Sequence, residues 1–129
     1  MKAIKIYDQA RLAIHWAGFS YFLYIFGYAS LSKVFKIPEM MTGMESFGFG
    51  EHWTLLIGYG ELVGVAGLIA GFWFRPIKNA AVLWLFPFSV GALMVHFSHQ
   101  DYQDHYDALF CCIAAVSILT TDKHFKITL

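Results

Sequence analysis

Four long apolar stretches, separated by shorter polar segments, dominate the pattern of hydrophobic and polar positions along the chain. About 20 residues at 1.5 Å each cross the hydrocarbon core of a bilayer, and the first three stretches have about this length. The fourth is strongly apolar only from Ala108 to Leu119, so it spans only with its polar N-terminal turns. The predicted helices lie at about 12–34, 53–74, 79–97 and 102–121. The pattern therefore predicts an all-α integral membrane four-helix bundle, in which residues 1–129 form a single transmembrane domain.

Composition agrees with a protein that contacts the lipid bilayer. Hydrophobic residues make up 58% of the chain and aromatic residues 19%, and the mean hydropathy is +0.55. The first apolar stretch is too long for the hydrophobic region of a signal peptide, so we expect it to be a retained helix. The formal net charge is +0 and no Lys/Arg cluster is present. This charge pattern favours no nucleic-acid partner.

The distribution of positive residues predicts how the helices are oriented. Lys33 and Lys36 lie on one side of the predicted bundle, and the other Lys and Arg residues lie on the opposite side. Because the side richer in Lys and Arg faces the cytoplasm, both termini are predicted to be cytoplasmic. The protein is then a multi-pass membrane protein, located in the inner membrane if the cell is bacterial.

The second predicted helix combines a stripe of glycines with one carboxylate. Gly60, Gly64, Gly67 and Gly71 fall within about 40° of one another on the helical wheel, and Glu61 lies about 80° from the centre of this stripe. Small residues at such spacing let a second membrane helix approach closely. The stripe is therefore predicted to pack against another helix, either inside the bundle or in a homodimer.

Glu61 needs a partner, since a lone carboxylate in hydrocarbon is costly. Counting about 1.5 Å per residue puts Glu61, His96 and Asp107 at similar depths, and Lys33 can reach them along its flexible stem. These four residues form a predicted buried polar cluster that binds a ligand or forms an ion pair. The alternative is that Lys33 simply neutralises Glu61, while His96 and Asp107 contact water at the headgroups.

The connector before the fourth helix is rich in histidine and aspartate. Imidazole and carboxylate groups together suit divalent metals such as zinc, manganese or iron. Histidine can also sense pH, because its ordinary pKa is close to neutrality. A solvated loop without a ligand is the simplest interpretation. The candidate metal or pH-sensing residues are His96, His99, Asp101, Asp104 and His105.

Other residue patterns predict packing or a lipophilic pocket. Tyr21, Tyr24, Tyr28 and Ser32 form a hydroxyl-bearing stripe on the first helix, which is typical of buried packing but could also line a pocket for a quinone. The adjacent Cys111 and Cys112 lack the geometry of a disulfide, so we expect them to pack rather than to act in redox chemistry. We expect no resident cofactor; a quinone or a divalent metal is the alternative.

Two segments resemble the DoxX-like family of small four-helix membrane proteins. They are FGYASLSKVFKIP at 26–38, with Lys33 closing the first helix, and GYGELVGVAGLIAGFWFRP at 58–76, with Glu61 among glycines and Arg75 following. The resemblance implies a four-helix membrane fold. Among relatives, it points to membrane subunits of a thiosulfate:quinone oxidoreductase, to partners of oxidative-stress enzymes and to a receptor-assembly chaperone.

Three functions are compatible with these features. The first is a non-catalytic subunit or assembly factor of a membrane complex, associated with redox chemistry, that binds other membrane subunits or itself through helix faces. The second is a small membrane enzyme or carrier that binds a lipophilic or protonatable, quinone-like ligand beside Glu61. The third is a metal or pH sensor on the outer face.

Overall fold

The computed structural model describes residues 2–99 and 106–122, and within these residues every regular element is a helix. The helices are α1 (Lys2–Val34), α2 (Pro38–Ser46), α3 (Glu51–Ala70), α4 (Arg75–Ser98) and α5 (Tyr106–Thr121). The all-α prediction is therefore confirmed. The four long helices correspond to the predicted crossings with shifted ends, and the short helix α2 lies within a segment that the hydropathy pattern predicts as a loop.

The boundary shifts have local causes. α1 continues back to Lys2 through a polar segment that is too hydrophilic to score as a membrane crossing. α3 ends at Ala70, where the Gly71 N–H bonds the Gly67 carbonyl and a turn follows. Pro76 lies at the start of α4, where its fixed φ and missing N–H are tolerated. The fourth predicted helix starts at 102, but residues 100–105 lie outside the described part of the chain.

α1 ends in a Schellman motif. The Ile37 N–H donates to the Ser32 carbonyl at 2.9 Å, and the Lys36 N–H donates to the Lys33 carbonyl at 3.2 Å. Lys36 adopts the left-handed conformation that this motif requires, with φ of 55°. Pro38 then starts α2. Lys36 also forms an exposed ion pair with Glu51, the first residue of α3, which connects the end of α1 to the start of α3.

Each long helix packs against two others. α1 contacts α3 and α5, and α4 contacts the same two helices. The contacting neighbours are antiparallel: Trp16, in the first half of α1, stacks on Phe72, just after α3, with ring centroids 6.1 Å apart, whereas Lys33, near the end of α1, packs over Gly58 in the first half of α3. We call the end of the assembly where α1 ends and α3 begins the α2 end, and the opposite end, where α5 ends, the Asp122 end.

The interior of the helix assembly has three layers. A middle layer of large apolar side chains separates two layers that contain buried charges. The layer nearer the α2 end contains Lys33 and Glu61, and the layer at the Asp122 end contains His15 and Lys78. The middle layer consists mainly of Phe19, Phe22, Phe26, Val65, Leu68, Val82, Leu85, Ala115 and Ile118.

Two of the described helices are long and apolar enough to cross a membrane by length and composition. They span Glu51–Ala70 and Pro76–Ser98, with mean hydropathies of 1.6 and 1.8. The other two predicted crossings correspond to α1 and to α5, an apolar helix of 16 residues. Large apolar side chains also point outward, including Leu56, Val63 and Met94, each more than 60% exposed. An outer surface of this kind suits contact with lipid.

Candidate functional site

Lys33 and Glu61 form a buried ion pair between α1 and α3. The Lys33 Nζ lies 3.0 Å from Glu61 Oε1 and 3.3 Å from Oε2, so the ammonium donates to both carboxylate oxygens. The two side chains are only 8% and 6% exposed. An ion buried this deeply is tolerated when its partner is close and well aligned. The pair therefore joins the two helices and neutralises the acid that stands out in the sequence.

Gly58 makes room for this pair. A Cβ built on Gly58 would lie 2.7 Å from the Lys33 Cβ, so the lysine stem crosses α3 at a position that carries no side chain. Side chains on a helix tilt toward its N-terminus, which directs Lys33 toward Glu61, one turn deeper. Sequence reasoning did not identify Gly58, because it is outside the predicted glycine stripe. Its position three residues before the buried acid is the signal that was available.

The other two members of the predicted cluster have different partners. Asp107 is exposed, and its Oδ1 accepts a hydrogen bond from the Tyr21 hydroxyl at 3.2 Å. The His96 ring packs edge to face against Phe47, with centroids 5.0 Å apart. The structure thus brings Lys33 to Glu61, and it puts Asp107 beside Tyr21 and His96 beside the residue that follows α2.

The metal hypothesis rests partly on residues outside the described chain. The structure does not describe the segment 100–105, which contains Asp101, Asp104 and His105. Within residues 2–99 and 106–122, no group of three metal-binding side chains is assembled. His99 Nδ1 lies 3.0 Å from the Val95 carbonyl, and its ring packs on Phe47 at 5.1 Å. His96 and His99 thus hold the same phenylalanine between them.

The predicted glycine stripe of α3 faces α4. A Cβ on each glycine would lie within 3 Å of an α4 side chain, so the two helices are in close contact along the whole stripe. The contacting pairs are Gly60 with Phe88, Gly64 with Leu85, Gly67 with Ala81, and Gly71 with Lys78.

The tyrosine stripe of α1 is more exposed than buried packing would require. Tyr24 and Tyr28 are 69% and 61% exposed, whereas Ser32 is buried. The expectation of buried packing is therefore wrong for these two tyrosines, because they lie on the outer side of α1. Tyr28 and Ser32 line a surface groove of about 290 Å³ together with Leu31, Phe35 and Ile37. Both cysteines are free thiols.

A second buried charge cluster occupies the Asp122 end, and the sequence analysis missed it. The Lys78 Nζ lies 2.8 Å from His15 Nε2 and 2.9 Å from Asp122 Oδ2. Lys78 and Asp122 have side chains that are 7% and 4% exposed. The Lys78 ammonium also lies 5.5 Å from the centre of the Trp16 ring. One lysine therefore ties α4 to both α1 and α5.

The hydrogen bonds of this cluster run in one direction. Lysine can only donate, so His15 accepts at Nε2 and its Nδ1 carries the proton. Nδ1 lies 3.0 Å from the Thr121 hydroxyl, which in turn donates to the Ser117 carbonyl. Arg11 adds a bond of 2.7 Å to the Thr121 carbonyl. Histidine is neutral in this arrangement, and its role is to connect helices.

The sequence predicted the Lys33–Glu61 pair but not the cluster around Lys78. Lys78 lies between the second and third predicted helices, where a lysine usually sets the orientation of the protein in the membrane, and Asp122 follows the last apolar stretch. Charged residues at helix ends are common and give no sign of burial. The available signal was His15, a polar residue one turn inside an apolar helix.

Comparison with known proteins gives one result. No curated protein and no solved structure matches the chain. The sequence model of the DoxX-like family matches residues 19–118, which include the Lys33–Glu61 pair, the glycines of α3 and most of α5. This match confirms the family that the segments at 26–38 and 58–76 resemble, and it supports a membrane protein together with the apolar helices. The chain belongs to the DoxX-like family.

Proposed function

We propose that this DoxX-like protein is a non-catalytic subunit or assembly factor of a membrane complex associated with redox chemistry. In this proposal its four long helices form a membrane-spanning bundle with both termini in the cytoplasm, and a bacterial cell would hold it in the inner membrane. The antiparallel neighbours and the excess of Lys and Arg at the Asp122 end support this orientation.

The observation that carries the proposal is an open face of small residues on α1. A Cβ on Gly27 would meet no atom within 4 Å, and the other small residues of this face are exposed. Membrane helices associate where small residues let their backbones approach. The small residues of this face are Ala13, Ala17, Ser20 and Gly27. The exposed Tyr24 lies between Ser20 and Gly27 on the same face.

Two further observations support a partner at this face of α1. The glycines of α3 are already covered by α4, so they are not available to another protein. The buried charges in both layers bond one helix to another and are therefore occupied with holding the assembly together. A partner is accordingly expected on α1, and the interior is expected to be structural.

The test compares leucine substitutions of small residues on two outer faces, one on α1 and one on α4. Ala17→Leu and Gly27→Leu fill the α1 face, and Ala80→Leu adds the same bulk to an exposed position of α4. Each protein is extracted with native lipids into nanodiscs, and the mass of the particle is compared with the 14.7 kDa chain. The wild type and Ala80→Leu are expected in a defined larger complex. Ala17→Leu and Gly27→Leu are expected to lose the partner.

Two outcomes would contradict the proposal. One is a wild-type protein that is stable and monomeric in native lipid. The other is a loss of the complex that is as large for Ala80→Leu as for Ala17→Leu, because α1 would then have no special role.

A further inference from the structure

Two buried hydroxyl groups near the Lys33–Glu61 pair lack a protein partner. Thr54 is 1% exposed and Ser89 is 2% exposed. Within the described residues, neither the Thr54 Oγ1 nor the Ser89 Oγ has a hydrogen-bond partner. Burying an unbonded hydroxyl is unfavourable, and nearly all such groups in proteins are bonded to protein or to ordered water. Each hydroxyl is therefore a sign of a bound molecule that can exchange hydrogen bonds.

Both hydroxyls lie on the α2-end side of the middle layer: Ser89 is near the level of the ion pair, and Thr54 lies about 10 Å farther toward the α2 end. Thr54 precedes Glu61 by seven residues, which is two helical turns, so it lies on the same buried face of α3. Ser89 follows Phe88, which covers Gly60, the residue before Glu61. The α2-end layer thus combines an ammonium, a carboxylate and two unbonded hydroxyls.

The α2 end offers the shorter path to this layer. Thr54 is one turn from Glu51, whose side chain is 55% exposed. In the other direction, the middle layer closes the interior with Phe22, Phe26 and Leu68, of which Phe22 and Leu68 are 0% exposed. A small polar molecule can therefore approach Glu61 from the α2 end but not through the apolar layer.

We propose that water is bound inside the helix assembly by Thr54, Ser89 and the Lys33–Glu61 pair, and that it exchanges only through the α2 end. Water is the smallest molecule that both donates and accepts, as the two hydroxyls require. The carboxylate has further lone pairs beyond those that Lys33 uses, so it can accept from water as well. Glu61 is then in contact with solvent on one side of the membrane.

The first experiment measures water contact directly. In proteoliposomes of the full chain, solid-state NMR follows the transfer of proton magnetisation from water to individual carbons. Transfer to the Glu61 carboxyl carbon and to the β-carbons of Thr54 and Ser89 is expected to be fast. Transfer to Val82 and Leu68 in the middle layer is expected to be slow. Equally slow transfer at Glu61 and Val82 in the wild type would overturn the proposal.

The second experiment uses matched hydroxyl deletions. Ser89→Ala and Thr54→Val remove the unbonded hydroxyls, and Ser30→Ala is the control, because the Ser30 hydroxyl already donates to the Gly27 carbonyl at 3.2 Å. Ser89→Ala and Thr54→Val are expected to slow transfer from water to Glu61, and Ser30→Ala to leave it unchanged. An equal slowing in all three variants would overturn the proposal.

The melting temperatures of the same variants test independently whether the layer contains water. A dry, unbonded hydroxyl destabilises the protein, so its removal would raise the melting temperature. A hydroxyl bonded to water contributes to a network, so its removal leaves that water short of a bond and lowers the melting temperature. A lower melting temperature for Thr54→Val, which conserves shape, is expected. A higher one would mean that the layer is dry.

Discussion

The two layers of buried charges in this protein have the same local packing, but their surroundings differ. In each layer a lysine side chain packs over a glycine: Lys33 packs over Gly58 of α3, and Lys78 packs over Gly71, the residue that follows α3. The Lys33 layer contains one ion pair that joins two helices. In the Lys78 layer, one lysine forms a hydrogen bond with His15 and an ion pair with Asp122, and so connects α4 to α1 and to the residue that follows α5.

The two layers differ in how easily a charged group that has lost its partner could bind water instead. Glu61 lies in the middle of α3, about 15 Å from the first residue of that helix, so a freed charge there has little bulk water to turn to. Asp122 follows the last residue of α5, and Lys78 is in the first turn of α4. Groups at helix ends can reach water by a small movement. Removing one partner is therefore expected to cost more in the Lys33 layer.

The largest expected effect is that of breaking the Lys33–Glu61 pair on one side. Lys33→Met leaves a buried carboxylate without its cation, and Glu61→Gln leaves a buried ammonium. Each is expected to lower the free energy of unfolding by about 3–5 kcal/mol. The double variant, Lys33→Met with Glu61→Gln, is expected to lose less than either single variant, since it leaves no unpaired ion. Reversible unfolding in lipid or mild detergent measures all three; additive losses would contradict the pairing.

A smaller loss is expected at the Asp122 end. Lys78→Met removes the bonds to both His15 and Asp122, and we expect a loss of about 2 kcal/mol because those two groups can turn to water. Lys5→Met, at an exposed position of α1, is the control and should be close to neutral. A loss for Lys78→Met as large as that for Lys33→Met would contradict the comparison of the two layers.

The sequence revealed one layer and hid the other for a physical reason. Glu61 is the single carboxylate of the predicted second helix, and the reach of the lysine stem from the end of the first helix was enough to bring Lys33 to it. The depth count concerned the other candidates, Asp107 and His96, but depth alone does not fix which way a side chain faces. Asp107 is turned to Tyr21 and His96 to Phe47.

The four long helices followed from hydropathy, whereas three other features required tertiary information. Lys78 and Asp122 gave no sign of burial, because charges at helix ends are usual. Gly58 gave no sign of contact with Lys33, because one glycine does not predict what crosses it. Helix α2 is short and rich in methionine, and it contacts α1 and α3 although none of its residues is buried. Its short sequence has no hydrophobic pattern that would have predicted a helix.

The glycine contacts allow a finer test of the two layers. A Cβ on Gly71 would lie 2.5 Å from the Lys78 Cβ and 2.7 Å from its Cα, and a backbone atom cannot move aside without shifting α4. Gly71→Ala is therefore expected to lower the free energy of unfolding by about 1–3 kcal/mol. Gly27→Ala, where a Cβ meets nothing within 4 Å, is the control. It should stabilise the helix by roughly 0.5–1 kcal/mol, and equal losses for both would contradict the close contact.

The smallest expected loss of stability comes from breaking the exposed ion pair of Lys36 with Glu51. Comparing it with the Lys33–Glu61 pair shows how burial changes the contribution of an ion pair. The hydrogen bond from Lys36 to Glu51, and then the charge of that carboxylate, raise the pKa of Lys36 above its ordinary value. A raised pKa in the folded state means that the pair stabilises the protein fully below the pKa of lysine in the unfolded chain. That stabilisation is lost as the pH rises through the higher, folded-state pKa.

Melting temperatures of the wild type and of Lys36→Gln test this titration. The wild type is expected to melt slightly higher at neutral pH, and the difference should disappear at strongly alkaline pH, where Lys36 is neutral. Salt should also reduce the difference, because both side chains are more than half exposed. The loss caused by Lys33→Met should respond little to salt, since the two side chains of that pair are only 8% and 6% exposed and dissolved ions do not reach them. A salt dependence as strong at Lys33 as at Lys36 would mean that the two pairs have similar surroundings.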